Sequence, residues 1–138
     1  MILADVALFF FLKILLYRNN PQLRLLHLDR ASYRGAAAAR EVYSGYKSLP
    51  PFSQALHRRM LEVEREEDSV DQVEVRRVLE TVCAQFGGED PLCWLEAAKH
   101  ELDNNKPLEA AQILARAEAS LNDDLKQKFA VLRDKMGV

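Results

Sequence analysis

Histidines, thiols and clustered carboxylates are the side chains here that could do chemistry. The histidines are His27, His57 and His100. A structural or catalytic metal site needs three or four ligands at close spacing, and only Glu96 and His100 share a helix face, four residues apart. Two ligands without a third do not hold a metal. Cys83 and Cys93 stand ten residues apart, which fits no zinc pattern, and neither has a basic sequence neighbour to activate a thiolate. The run Glu62, Glu64, Glu66, Glu67 and Asp68 closes a helical segment and has the form of a solvated acidic end. Gly87-Gly88 is not followed by the Lys-Ser/Thr pair that a phosphate-cradling loop requires, and no Gly-x-Ser-x-Gly elbow occurs. The expectation is a chain that is not an enzyme, with no cofactor and no metal.

The remaining charges are unevenly placed. The chain has 138 residues, 49% of them hydrophobic, and a net charge of −2. That composition suits one globular unit and excludes both a disordered chain and a strongly basic nucleic-acid binder. Up to Arg59, nine basic residues face three acidic ones, a net of +6; from Met60 onward, ten face eighteen, a net of −8. Within the basic half, Arg24, Arg30, Arg34, Arg58 and Arg59 are candidates for contact with RNA or an acidic partner. No aromatic interleaving accompanies them, as a dedicated RNA module would have.

Elements must position these groups, and the sequence marks them by period and punctuation. Ala39-Arg40-Glu41-Val42-Tyr43, Val75-Arg76-Arg77-Val78-Leu79 and Ala111-Gln112-Ile113-Leu114-Ala115 recur at intervals of 36 residues. Between them lie two amphipathic segments of a second kind, Ala55 to Glu67 and Leu92 to Leu102, with Glu64 and Glu101 in matching places. Pro50-Pro51, Gly87-Gly88, Asp90-Pro91, Asn104-Asn105 and Pro107 punctuate the alternation. Ser53 and Asp90 are candidate caps, a helix is expected from about Val70 to Phe86, and Asn122 or Asp123 opens a last helix to about Met136. On that helix Leu125, Phe129, Leu132 and Met136 form one apolar stripe, as a terminal repeat needs. No window alternates with period two. The fold expected is all-α: a right-handed alpha-alpha superhelix of helix pairs with a C-terminal capping helix. Repeat packing is assigned to Arg40, Tyr43, Arg76, Trp94 and Glu101, with Arg76 or Arg77 expected to reach Glu64 or Glu80, and Arg116 to reach Glu101 or Glu109.

The opening segment is apolar on every side. Val6 to Tyr17 reads VALFFFLKILLY, interrupted only by Lys13. It is shorter than the roughly 20 residues of a membrane span and lacks the basic front and cleavage site of a secretory signal. A buried or partner-covered helix is expected, and no membrane partner; a membrane-anchored helical adaptor is the alternative.

Trp94 with Glu101 seven residues on resembles the first helix of the half-a-TPR (HAT) repeat, and Ala39 to Tyr43 resembles its second helix. Gln112 stands where the second-helix Arg is usual, and His57 where an earlier repeat would carry its Trp. The stretch Val42-Tyr43, Ser48-Leu49-Pro50-Pro51-Phe52-Ser53, Met60 to Glu66, Gln85-Phe86-Gly87, Trp94 and His100-Glu101-Leu102 is similar to the C-terminal part of the U3 small nucleolar RNA-associated protein 6 family. That resemblance implies a HAT-repeat scaffold of the small-subunit processome, which matures 18S ribosomal RNA in the nucleolus of the nucleus. It implies processome proteins as partners, beta-propeller subunits among them, and U3 snoRNA and pre-rRNA at least indirectly. A HAT scaffold in splicing or 3′-end cleavage is the alternative. It also implies that the chain is a C-terminal piece or short isoform of a longer protein. Residues 1–34 are expected to be an apolar helix and basic connector left from an upstream repeat, and 35–138 the HAT solenoid.

Overall fold

The computed structural model describes residues 2–138 in backbone, and all their side chains except those of Ile2, Leu3, Ile14 and Tyr17. The described chain is all-α, with eight helices and no strand. It divides into two compact units, Met1–Val70 and Asp71–Val138, rather than forming the one globular unit its composition suggested.

In the first unit, α1 (Ile2–Asn19), α2 (Pro21–Ser32), α3 (Ala36–Tyr46) and α4 (Gln54–Arg65) follow one another. Asn20 separates α1 from α2: its side-chain carbonyl accepts from the Gln22 and Leu23 backbone N–H groups at 3.0 and 3.1 Å, and Pro21 opens the helix. Gly35 starts α3 from a positive φ of 116°, a conformation that L side chains rarely adopt. The alanines of α3 let its backbone approach neighbours, with Ala39 fully buried. Around it Leu28, Ala31, Tyr43, Leu56, Met60 and Leu61 form the core. α2 packs on both α3 and α4.

The second unit holds α5 (Gln72–Phe86), α6 (Pro91–Asp103), α7 (Pro107–Ser120) and α8 (Asp123–Met136). Asp71, Asp90 and Asn122 cap α5, α6 and α8 through their side chains. Ser53, by contrast, occupies the cap position of α4 without a side-chain cap hydrogen bond. α6 is the central element, packed on α5, α7 and α8, which explains why Cys93, Trp94, Leu95, Ala97 and Ala98 are all buried. On α8 the apolar stripe faces inward as expected: Phe129 is buried and Leu125, Leu132 and Met136 are half-buried. The helix stops at Gly137, which is left-handed at φ 67°.

The turn between α5 and α6 tolerates no added side chain. A Cβ on Gly87 would stand 2.5 Å from the Trp94 ring and would also strike the Cys83 carbonyl oxygen. Gly87→Ala is therefore expected to destabilise the unit by about 2 kcal/mol, since overpacking outweighs the better helix propensity of alanine. Urea unfolding followed by tryptophan fluorescence measures it; a variant as stable as the parent would show that the turn shifts freely.

α1 differs from every other helix. Its main contacts are with α2, and its described side chains stay in solvent: Phe9 is 66% exposed and Leu16 63%. The expected burial is not supplied within the first unit, where one helix cannot cover an element that is apolar all round. No helix among the described residues is long and apolar enough to cross a membrane.

Candidate functional site

Two arginine–glutamate clamps recur, one in each unit. On α3, Arg40 donates from Nε to Glu64 Oε1 at 2.7 Å and from a terminal nitrogen to Oε2 at 2.8 Å. On α5, Arg76 makes the same fork to Glu101 of α6 at 2.5 and 2.9 Å. Glu64 and Glu101 are 1% and 2% exposed, so each carboxylate is desolvated and depends on its planar bidentate partner. The hydrogen bonds from Arg76 hold the Glu101 carboxyl below its ordinary pKa against the opposing effect of burial, and the same bonds raise the pKa of Arg76. Each clamp joins a helix to the one that follows it in its own unit. Arg76 is thus forked to Glu101, with Glu80 acting on it only through its charge, and Arg77 pairs with Glu74 at 2.8 Å. Arg116 does not take up Glu101, whose oxygens Arg76 already holds; its guanidinium carbon lies 5.5 Å from the centre of the Trp94 ring.

Aromatic side chains complete the packing. Trp94 donates its indole N–H to the Gly87 carbonyl at 2.7 Å. Tyr43 and His57, both buried, share a hydrogen bond of 2.7 Å between the hydroxyl and Nδ1, with their rings edge to face. His57 thus fills a place where the repeat pattern suggests Trp. Tyr46 and His27 form a second such pair at 2.6 Å.

The basic candidates fall into different situations. Arg24 is not available to a partner: it is 3% exposed and donates to the carbonyls of Leu49, Pro50 and Pro51 at 2.7, 2.9 and 3.2 Å. The Pro50–Pro51 peptide in that loop is cis. Helical spacing held the signal, because Arg24, Leu28 and Ala31 fall at i, i+4 and i+7 on one buried face. Arg59 is bound to Asp29 at 3.0 Å, Glu62 at 3.1 Å and Ser32 at 3.2 Å. Burial works against its charge, but these carboxylates win and raise its pKa. Arg58 is half-buried, while Arg30 and Arg34 are exposed.

Among the described residues, no group of three or more His, Cys, Asp or Glu is placed to hold a metal. Cys83 and Cys93 are buried, and a hydrogen bond with Cys93, together with burial, pushes the Cys83 thiol far up and keeps it protonated.

Helix pairs tied by recurring Arg–Glu forks make an all-α, helical repeat-like fold. Residues 20–121 match the family model described as U3 small nucleolar RNA-associated protein 6 C-terminal, and the chain belongs to that family. It is a family of RNA-associated proteins and not of enzymes. The U3 small nucleolar RNA-associated protein 6 homolog of Homo sapiens is 31% identical over 115 residues, 80% of this chain and 19% of that protein. The homolog of Mus musculus is 32% identical over the same length and shares. The chain spans about a fifth of the length of these curated relatives, 19% in each case.

Proposed function

We propose that the chain acts as a non-enzymatic HAT-repeat scaffold in the U3 snoRNA-associated small-subunit processome, supporting 18S ribosomal RNA maturation in the nucleolus. The observation that carries this reading is the family match over residues 20–121, which spans both Arg–Glu clamps. Clamped helix pairs hold side chains at fixed spacing and present surface to partners without local unfolding. Processome proteins, beta-propeller subunits among them, are the partners this role calls for, and U3 snoRNA and pre-rRNA are reached through them.

Affinity purification of the tagged full chain from nuclear extract tests the role. U3 RNA and ribosomal precursor RNA should co-purify above an untagged control, and a fluorescent fusion should collect in nucleoli. Enrichment of spliceosomal RNA or polyadenylation factors, or of membrane and cytosolic proteins alone, would overturn it.

A further inference from the structure

The first unit carries an open groove of about 390 Å³ between α1 and α2, a size typical of a binding cleft, roughly 300–1,000 Å³. Phe10 and Leu26, 60% and 40% exposed, supply apolar surface, and the hydrogen-bonded His27–Tyr46 pair also lines it. Lys13, Arg18 and Arg30 line it, and no carboxylate does among the described residues. None of these three cationic side chains enters an ion pair or hydrogen bond among the described residues, whereas Arg24, Arg40 and Arg59 of the same unit all do. Three of its seven lining residues, those on α1, lie outside the residues that match the family model.

We infer that this groove binds an acidic amphipathic helix of a partner protein. Its apolar stripe would cover Phe10 and Leu26, and its flanking carboxylates would pair with Lys13, Arg18 and Arg30. Charge complementarity selects the occupant, because three cations beside exposed apolar surface match a helix with one leucine-rich face edged by glutamates. Single-stranded RNA fits less well. It takes its affinity from several accessible aromatic platforms, and here Phe10 is exposed while Tyr46 is only 9% exposed. The inference is independent of the processome reading, since the groove can bind or fail to bind whichever particle the chain joins.

Fluorescence anisotropy with the full chain tests it. The probe is a labelled helical peptide of about five turns, with leucine on one face and glutamate on its edges. Controls are a scrambled peptide of the same composition, a version with lysine for glutamate, and oligouridine. Saturable binding of the glutamate peptide alone is expected, weakening with salt. Arg30→Glu, at an exposed position, should weaken it roughly tenfold and flatten its salt dependence, a change that a merely structural role would not produce. Circular dichroism checks that the variant is folded. Three results would overturn the inference: peptide affinity unchanged in Arg30→Glu, oligouridine binding tighter than the peptide, or a dimer in sedimentation velocity that Phe10→Ser abolishes.

Discussion

Trp94→Ala is expected to cost about 4 kcal/mol of stability in the second unit, within the range for deleting a large aromatic from a core. The indole is 5% exposed, so its removal opens a cavity between α5 and α6. The Gly87 carbonyl loses its donor, and the Arg116 guanidinium loses the ring it lies against. Trp94→Phe keeps most of the volume and loses the hydrogen bond, so about 1–2 kcal/mol is expected. Because Trp94 is the only tryptophan in the chain, circular dichroism rather than fluorescence must follow the unfolding. A loss under about 1 kcal/mol for alanine would mean that the α5–α6 junction collapses around the gap.

Arg76→Met is the second large effect. Breaking a buried pair from one side leaves the other charge uncompensated and costs about 3–5 kcal/mol. The Arg76 side chain is 27% exposed while that of Glu101 is 2% exposed, which places the expected loss near the lower end, about 3 kcal/mol. The pH dependence has a definite sign. The folded pKa of Glu101 is lowered, chiefly by the hydrogen bonds from Arg76, so its contribution is present above the unfolded carboxylate value, about 4.3. That contribution is lost as pH falls through the folded value. The stability difference between parent and Arg76→Met should therefore be largest near neutrality and shrink in acid. Denaturant melts at a series of pH values measure it; a gap that stays constant into acid would mean that the carboxylate charge is not what Arg76 supports.

The helices were legible because their signals are local. Asp90-Pro91, Asn122, Pro107 and the stripe through Phe129 act within a turn or two, and the structure places helix ends beside each of them. The α5 start falls at Gln72 rather than near Val70 because Asp71 takes the capping role. Clamp partners were not legible: a 36-residue period singles out Arg76 and Glu101 but does not say whether a helix ties to the one before it or the one after. Arg24 was misjudged because counting charges ignores helical position, and its partners are loop carbonyls, which have no sequence signature. α1 was opaque for the opposite reason. A segment apolar on all sides has no preferred face, so its pattern cannot say what covers it.

The two clamps have a kinetic consequence. Each closes between residues only 24 or 25 positions apart, and no contact within a unit has to reach across the chain. Such short separations lower the loop-closure entropy to be overcome before native contacts form, which is the condition for fast folding. Residues 1–70 hold all the contacts of their own unit, so that unit can assemble on a ribosome before the second has been synthesised.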